Sequence, residues 1–261
     1  MKSIQSKTVL FITGCFVHNS SWDPWKVYFE NKGYTVFAPA WPFKDAPAQV
    51  LRSRQPDAAI ASIRLAQLTA YFEDFIKDLP EKPILIGHSM GGLLTQLLLQ
   101  RNLAAAGVAI HSVPPLGIIP LSFSFFKATW GPLGLFTDAK KSFLMSFEQW
   151  QYAFTNGMPL DEQRKAYELF TIPESKLISR DGLTSAAKVD FKKPHAPLLL
   201  LAGDTDHIMP AAVNYANFKK YSQQNGSVTT YKVFAGRNHF VTGQRTWPED
   251  AAYIADWIDQ N

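Results

Sequence analysis

Short apolar runs alternate with amphipathic segments along most of the chain. Consecutive apolar residues bounded by glycine or proline are typical of buried strands, whereas apolar residues at every third or fourth position are typical of helices. The predicted strands are residues 8–13, 34–38, 84–86, 107–111, 198–202 and 229–234. Because helical patterns separate these strands, the sequence predicts βαβ units and a parallel sheet.

Polar residues and prolines mark where several of the predicted helices begin. Asp23 and Pro24 open the first helix, and Gly33 ends it. Asp57 has a side chain suited to the N-cap of the long helix that follows. The sequence Thr-Trp-Pro-Glu at 246–249 has the form of a capping box and is predicted to open the last helix.

The alternation of strands and helices stops between residues 113 and 194. This segment is punctuated by proline and glycine and is rich in phenylalanine and tryptophan. We interpret it as a helical cap, 113–194, inserted into an α/β core that consists of residues 1–112 and 195–261. Helical patterns within the cap are found at 141–154, 160–170 and 173–180.

The strand at 84–86 leads into the most informative stretch of the chain. Residues 87–91, Gly-His-Ser-Met-Gly, fit the pattern G-x-S-x-G, and apolar residues at helical spacing follow at once. In a nucleophile elbow this pattern forms a sharp turn between a strand and a helix, and the glycines remove side chains that would clash. The helix N-terminus adds free N–H groups and a positive dipole end. We therefore predict that Ser89 is a catalytic nucleophile.

A serine hydroxyl needs a nearby base, and the base needs a third group to orient it. In open α/β sheets such groups gather at the carboxyl ends of strands. The strand at 198–202 is followed by Asp204 and Asp206, and the strand at 229–234 is followed by His239. Serine, acid and histidine, each after a later strand, is the triad order of the α/β-hydrolase fold.

Composition narrows the classes of function. With 261 residues, of which 46% are hydrophobic and 18% charged, the chain has the composition of a globular protein with one large domain. The net charge of +4 is small and its basic clusters are dipeptides, so we expect no nucleic-acid partner. No apolar stretch approaches 18 residues, and the sequence predicts no spanning helix.

The N-terminal segment and the single cysteine bear on the compartment. Lys2 and Lys7 precede an apolar run that ends at Cys15, which superficially resembles a lipoprotein signal. The run is shorter than a usual h-region and coincides with the first predicted strand, so we disfavour this interpretation. A single cysteine excludes an intramolecular disulfide, which fits a reducing compartment. We expect a cytoplasmic protein without a stable membrane anchor.

These motifs resemble the α/β-hydrolase superfamily, in its small esterase and haloperoxidase-like branch. The resemblance rests on Gly-His-Ser-Met-Gly-Gly at 87–92, the G-x-x-D loop at 203–210 and Gly-Arg-Asn-His at 236–239, and it covers the chain outside the insertion. In the family, the acid lies three residues after the glycine of that loop, which selects Asp206 over Asp204. The resemblance implies a mostly parallel sheet of about six strands, without the two antiparallel strands that usually lead the fold.

The resemblance also implies an oxyanion hole made of two backbone N–H groups. One belongs to Met90, the residue after the nucleophile, and the other follows the first strand. In relatives that loop usually reads His-Gly-x, whereas here it reads Thr-Gly-Cys at 13–15, which makes the backbone N–H of Cys15 the second donor. The family's usual histidine is missing from this loop, a departure that bears on its geometry.

Three further residues are candidates for the substrate pocket. His18 follows the first strand and is a candidate for the mouth of the pocket. Phe126 and Trp130 lie in the cap among prolines and glycines, in a segment suited to a loop that reaches over the site. Aromatic side chains of this kind would make the cleft apolar.

The remaining histidines and acids have simpler interpretations. We expect structural roles for His88, inside the elbow, and for His111, at the end of a strand beneath the cap, where the alternative role of His111 is to line the pocket. Asp204, Asp206 and His207 have side chains that bind metals, but no further residue has matching spacing. We therefore expect neither a metal nor another cofactor.

The expected function is hydrolysis of small or medium-sized, apolar carboxylic esters through an acyl-enzyme. One alternative is a related reaction of the same triad, namely hydrolysis of lactones or amides, perhydrolysis, or cleavage of carbon–carbon bonds. The alternative from another class is a protein that uses the pocket to sense a ligand without turnover. Dehalogenases and epoxide hydrolases of this fold use an aspartate nucleophile, so Ser89 argues against both.

Overall fold

The computed structural model describes residues 4–119, 122–134, 136–222 and 225–261. Within these ranges the centre of the fold is a six-stranded parallel sheet in the order β2-β1-β3-β4-β5-β6. The strands are β1 Thr8–Ile12, β2 Thr35–Phe37, β3 Ile84–His88, β4 Ala106–Ile110, β5 Leu198–Gly203 and β6 Thr229–Phe234. The predicted parallel sheet is therefore confirmed, and every strand begins and ends close to its predicted bounds.

Helices cover both faces of the sheet. In the described ranges the α-helices are α1 Asp23–Asn31, α2 Ala48–Ser53, α3 Ala58–Ala61, α4 Leu65–Lys77, α5 Met90–Leu99, α6 Phe123–Leu133, α7 Phe147–Ala153, α8 Leu160–Phe170, α9 Lys176–Asp181, α10 Ala211–Phe218 and α11 Trp247–Gln260. Short 3-10 helices cover Asn19–Trp22 and Ser185–Ala187. None of the helices in the described part of the chain has both the length and the hydrophobicity of a membrane span.

The central strands read as continuous apolar runs because both of their faces are buried. Strands β1, β3, β4 and β5 are buried along their whole length, whereas the edge strands β2 and β6 are partly exposed. Successive side chains of β1 enter two different cores. Val9 and Phe11 pack with residues of α1 and α11, and Leu10 and Ile12 pack with residues of α4, α5 and the segment 113–194.

The last helix begins as predicted, at Trp247, but its predicted capping box is absent, and the predicted start of the long helix at Asp57 is wrong. Thr246 already has helical backbone angles, φ −85° and ψ −1°, and its side chain makes no capping hydrogen bond. Asp57 caps the four-residue helix α3 instead of the long helix α4. Helix α4 begins at Leu65, whose N–H donates to the carboxylate of Asp181 at 3.0 Å.

The segment 113–194 contains α6 to α9 and is joined to the core at several points. His18 N–H donates to the carbonyl of Phe170, and Ile172 N–H donates to that of Phe16, so 170–172 runs antiparallel to 16–18. Asp181 also forms a two-point ion pair with Arg64, at 2.6 and 2.8 Å. The division into core and cap stays a prediction, and these contacts tie the C-terminal part of the segment firmly to the sheet.

Candidate active site

The turn after β3 holds Ser89 in a strained backbone conformation. Its φ of 56° and ψ of −116° lie outside the regions that residues with a side chain usually occupy. A Cβ on Gly87 would overlap the backbone of Gly91, and a Cβ on Gly91 would overlap that of Ile12, so glycine is required at both positions. Helix α5 begins at Met90, which leaves the serine at the N-terminal end of this helix.

Asp206 lies in the loop after β5, and backbone groups of that loop bind its carboxylate. Its Oδ1 accepts the N–H groups of Ile208 at 2.7 Å and of Met209 at 2.8 Å. Asp204 has a different environment, because its Oδ1 accepts the N–H of Gly236 at 2.7 Å and braces the loops after β5 and β6. The structure thus brings Asp206, and not Asp204, into the candidate site.

The loop after β6 holds His239 between the sheet and the helices of the segment 113–194. Arg237, on the same loop, forms an ion pair with Asp250 of α11 at 3.1 Å. The N–H of Phe240 donates to the carbonyl of Phe154 at 3.0 Å. The ring of Phe154 packs edge-on against the imidazole of His239, with 5.0 Å between the ring centroids. His239 is fully buried and its ring is fixed in orientation.

Ser89, His239 and Asp206 form one hydrogen-bonded chain. The Oγ of Ser89 lies 3.0 Å from Nε2 of His239, and Nδ1 of His239 lies 2.7 Å from Oδ2 of Asp206. With the carboxyl ionised, Nδ1 carries the ring proton, and Nε2 is free to accept the proton of the serine hydroxyl. The serine itself is only 5% exposed. The geometry is that of a nucleophile, a base and an orienting acid.

The surroundings keep Asp206 ionised although it is buried. Burial works to raise its pKa, but the charge on His239 and hydrogen bonds from His111 and His239 outweigh burial and hold the pKa of Asp206 well below its usual range. Burial, followed by the charges of His239 and His111, lowers the pKa of His88 well below its usual value. His88 therefore stays neutral, and the carboxylate is left to balance an imidazolium that forms on His239.

One predicted oxyanion donor, Met90, directly follows Ser89, and the loop that contains the other, Cys15, approaches the serine at Gly14. Met90 is the first residue of α5, and N–H groups in the first turn of a helix have no acceptor within the helix. The loop after β1 approaches closely, because a Cβ on Gly14 would lie only 2.7 Å from the Cβ of Ser89. Burial, followed by the charge of Glu174, raises the pKa of the Cys15 thiol well above its usual value, so the thiol stays protonated.

One protein-family model matches the sequence over nearly its whole length. The model describes the alpha/beta hydrolase family and aligns with residues 9–254. The chain belongs to this family. The predicted family and fold are confirmed, while a search of the curated proteins finds no sequence that matches the chain.

Solved structures of several hydrolases share the fold of this α/β-hydrolase. A pyrethroid hydrolase from Sphingobium faniae JZ-2 superposes with a TM-score of 0.65 at 18% identity, covering 97% of each chain. A monoacylglycerol lipase from Paleococcus ferrophilus gives 0.67 at 19% identity, covering 97% of this chain and 94% of the lipase. A methylesterase from Arabidopsis gives 0.67 at 14% identity, covering 97% and 99%. At such identities the likeness is one of fold.

A buried ion pair supports the loop after β1 of this α/β-hydrolase. We call residues 13–16 the oxyanion loop, because they include the predicted oxyanion donor Cys15. Nζ of Lys44 lies 2.5 Å from Oε2 of Glu174, and the two side chains are 4% and 0% exposed. The same carboxylate oxygen accepts the N–H of Phe16 at 3.3 Å, and Oε1 accepts the N–H of Ser175 at 2.8 Å. Glu174 thus holds the backbone directly after Cys15. The local sequence pattern marks neither member of the pair, because they are 130 residues apart.

His111 contributes a second imidazole to the acid. It directly follows β4, it is 1% exposed, and its Nδ1 lies 2.8 Å from Oδ2 of Asp206. From the sequence we expect a structural role for His111, and no local pattern connects it with Asp206. The signal that indicates this contact is its position at the carboxyl end of a central strand, where functional groups of α/β sheets gather.

The predicted pocket residue His18 is engaged in local structure. Its Nδ1 lies 2.8 Å from Oγ of Ser20, and its Nε2 lies 3.2 Å from the carbonyl oxygen of Ala46. Both ring nitrogens therefore join two loops near the N-terminal 3-10 helix. Burial lowers the pKa of His18, which favours its neutral form. A role at the mouth of the pocket stays a prediction.

The two predicted aromatic residues of the pocket differ in their surroundings. The predicted loop at these residues is wrong, because both lie on helix α6, where Phe126 is 52% and Trp130 is 70% exposed. Trp130 lines a cavity of about 190 Å³ together with Phe136 and Phe143. The ring of Phe143 packs edge-on against Phe16, with 6.0 Å between centroids, and so links this cavity to the oxyanion loop. That Phe126 and Trp130 contact substrate stays a prediction.

Among the described residues, one cluster has the spacing of metal ligands. It consists of His111, Asp206 and His239, whose possible ligand atoms all lie within 4.8 Å of one another. The Nδ1–Oδ2 distances of 2.7 and 2.8 Å are those of direct hydrogen bonds. The other candidate metal ligands have different partners, since Asp204 binds a backbone N–H and Nδ1 of His207 lies 2.8 Å from the carbonyl of Tyr152. The donor set is explained by hydrogen bonding alone.

Proposed function

We propose that the protein is a serine hydrolase that cleaves carboxylic esters through an acyl-enzyme. The observation that carries the proposal is the hydrogen-bonded chain from Ser89 through His239 to Asp206, at 3.0 and 2.7 Å. In the first step Ser89 Oγ attacks the ester carbonyl while His239 Nε2 takes its proton. His239 then returns this proton to the departing alkoxide, and the acyl group stays on the serine.

Deacylation repeats these proton transfers with water as the nucleophile. His239 takes a proton from water, and the hydroxide attacks the acyl carbonyl. The Ser89 oxygen leaves and recovers the proton from His239, which releases the carboxylic acid. Throughout both steps Asp206 holds the ring of His239 in one tautomer and balances its transient charge.

The backbone N–H groups of Met90 and Cys15 would stabilise the negative oxygen of each tetrahedral intermediate. The start of α5 at Met90 and the close contact between Gly14 and Ser89 support this assignment. Removing one donor of an oxyanion hole typically costs about 3 kcal/mol of transition-state stabilisation. Because both groups belong to the backbone, the thiol of Cys15 takes no part in the chemistry.

The preferred substrates are small or medium-sized esters with an apolar acyl or alcohol group. Aromatic side chains line a cavity of the segment 113–194, among them Trp130, Phe136 and Phe143, and Phe143 also packs on Phe16, the residue after Cys15. The proteins of similar fold include a pyrethroid hydrolase, a monoacylglycerol lipase and a methylesterase, and this supports ester bonds as the target. The small net charge of +4 offers no strong attraction for anionic substrates.

Turnover of p-nitrophenyl esters tests this function directly. We expect the wild-type protein to hydrolyse acetate and butyrate esters, and Ser89→Ala to remain folded and to lose this activity. Lactones and amides belong in the same screen, because the same triad serves for both. A folded wild-type protein that turns over no ester, lactone or amide would favour a ligand sensor instead.

A further inference from the structure

Four hydrogen-bond donors surround the carboxylate of Asp206. Oδ1 faces the N–H groups of Ile208 and Met209, at 2.7 and 2.8 Å. Oδ2 faces two imidazoles, with Nδ1 of His239 at 2.7 Å and Nδ1 of His111 at 2.8 Å. One imidazole is sufficient for the triad, so the second needs its own explanation.

The protonation state of His111 follows from its partner. An ionised carboxylate can only accept hydrogen bonds, so a nitrogen 2.8 Å away must carry a proton. A neutral His111 therefore has its proton on Nδ1 and its lone pair on Nε2. In this tautomer Nδ1 has no lone pair to accept a proton, so at Asp206 it can only donate.

We propose that His111 is a positioning residue of the triad, which fixes the carboxylate plane of Asp206 so that Oδ2 stays directed at Nδ1 of His239. The inference rests on the proposed function, since it concerns the acid of that triad. Without His111, the carboxylate keeps its two backbone donors on Oδ1 but loses one of the two groups that locate Oδ2. The carboxylate can then rotate about its Cβ–Cγ bond, and this rotation weakens the hydrogen bond from Nδ1 of His239 to Oδ2.

The fold is built around His111 in a way that a casual contact would not require. The residue has a positive φ of 47°, which is uncommon for a residue with a side chain. Its N–H donates to the carbonyl of Leu201 in the neighbouring strand at 2.8 Å. A Cβ on Gly203 would lie 2.2 Å from the carbonyl oxygen of Arg237 and 2.6 Å from Cε1 of the His111 ring, so a glycine at the end of β5 makes room for both the loop after β6 and the imidazole.

Other ionisable groups lie near His111 and Asp206. The centroids of His88 and His239 lie 6.3 and 6.2 Å from that of His111, so a second imidazolium would meet like charge. Asp250 also interacts electrostatically with His111, but its carboxylate is engaged by Arg237 at 3.1 Å. Among the described residues with an electrostatic interaction with these rings, Asp206 is the carboxylate without an arginine partner, and its charge balances one imidazolium.

Nuclear magnetic resonance of the protein with 15N-labelled histidine tests the tautomer without reference to catalysis. We expect His111 to be neutral, with a proton on Nδ1 that resonates at low field and exchanges slowly. His111→Asn assigns the signal by removing it. A proton on Nε2 of His111 instead of Nδ1 would overturn the proposal, even in a preparation that turns over no ester.

Steady-state kinetics of two variants test the positioning role. Asparagine tolerates a positive φ, and its amide nitrogen stands as many bonds from Cβ as Nδ1 of histidine, so His111→Asn keeps a donor. We expect its kcat within about threefold of wild type. His111→Ala removes the donor and should lose about tenfold to a hundredfold in kcat with little change in KM.

The two variants also separate positioning from general support of the fold. Thermal unfolding identifies any variant that fails to fold, and in that case the tautomer of the wild-type protein still decides. Wild-type kcat in a folded His111→Ala variant would contradict the proposal, as would equal losses in folded alanine and asparagine variants. If wild-type protein lacks ester turnover but His111 is protonated on Nδ1, the proposed function fails and the contact between His111 and Asp206 stands.

Discussion

At the scale of single residues, the site depends on which proton each nitrogen carries. The carboxylate of Asp206 selects the Nδ1–H tautomer of His239, and only this tautomer presents Nε2 to Ser89 at 3.0 Å. A neighbouring acid two residues earlier, Asp204, has the same side chain but binds the backbone of Gly236. The two acids are therefore a matched pair for testing the role of charge at one position.

Replacing each acid by its amide should give very different results. Asp206→Asn should lower kcat by about ten-thousandfold, because an amide N–H facing His239 favours the wrong tautomer. Asp204→Asn should stay within about twofold of wild type, since an amide oxygen still accepts the N–H of Gly236. Ester turnover by the two purified variants measures this. A larger loss in the folded Asp204→Asn variant would show that the acid is wrongly assigned.

His88 should make the stability of the protein depend on pH. Its pKa in the folded protein lies well below the usual 6.5, so below pH 6.5 the unfolded chain binds a proton that the folded protein does not. The free energy of unfolding should therefore fall as the pH decreases from 7 to 5. Between pH 6.5 and its lower pKa in the folded protein, His88 should decrease the free energy of unfolding by about 1.4 kcal/mol for each unit by which the pH falls. Above pH 6.5 it should make no such contribution.

His88→Phe tests this assignment, because phenylalanine is similar in size and cannot be protonated. Urea denaturation at pH 7, 6 and 5 should give a shallower dependence for the variant than for wild type. His195 serves as the comparison. Burial lowers its pKa as well, but its side chain is only partly buried. His195→Asn should flatten the profile less. Identical profiles for wild type and His88→Phe would refute the assignment.

At the scale of elements, the segment predicted as a cap forms part of the site itself. Phe154 packs on His239, and Glu174 binds the backbone of Phe16 in the oxyanion loop. Ser175 Oγ also donates to the carbonyls of Ala61 and Ile63, which ties the same stretch to the start of α4. A substrate therefore cannot enter by displacing residues 170–181 as a whole without disturbing the oxyanion loop.

The Lys44–Glu174 pair should show a large coupling in its stability. Either Lys44→Met or Glu174→Gln leaves a buried group without its partner and should cost about 3–5 kcal/mol of the free energy of unfolding. The double variant should cost much less than the sum of the two. Urea denaturation of the four proteins measures the coupling.

An ion pair with an exposed arginine provides the control for this cycle. Arg245 is paired with Glu162 and its side chain is 82% exposed, so Arg245→Gln should cost less than about 1 kcal/mol. Strictly additive effects of Lys44→Met and Glu174→Gln would mean that the buried pair does not stabilise the loop. The glutamate variant should also lower kcat, because it loosens the backbone next to Cys15.

The two aromatic residues of α6 should differ in their effect on substrate length. Trp130 lines the cavity beside Phe143, whereas Phe126 packs its ring on Phe125. Trp130→Ala should lower kcat/KM for a butyrate ester by about fivefold to tenfold more than for an acetate ester. Phe126→Ala should change this ratio less, because Phe126 is not among the residues that line the cavity. Equal losses on both esters in Trp130→Ala would argue that the tryptophan only stabilises the segment.

At the scale of the whole molecule, the sequence predicts what depends on local pattern. The six strands can be predicted from the sequence because buried parallel strands are uninterrupted apolar runs. Ser89 and His239 can be predicted because the fold places functional groups after particular strands, and the order of these groups along the chain can be seen in the sequence. Asp206 could be separated from Asp204 only through the resemblance to a family, because both follow the same strand.

Contacts between distant residues explain what the sequence does not reveal. The start of α4 is fixed by Asp181, 116 residues later, instead of by Asp57. His111 meets Asp206 across 95 residues, and Phe16 meets Glu174 across 158. Each of these depends on how the segment 113–194 and the strand ends come together in space. A single sequence contains no local signal for such pairings.

The account as a whole stands on Ser89 as the nucleophile. The most direct measurement is labelling with a fluorophosphonate, followed by mass spectrometry of the modified peptide. The account predicts one adduct per chain, located on Ser89, with no labelling of Ser89→Ala and loss of label when the protein is unfolded first. An adduct on another residue, or equal labelling of a folded Ser89→Ala variant, would contradict the triad and with it the proposed function.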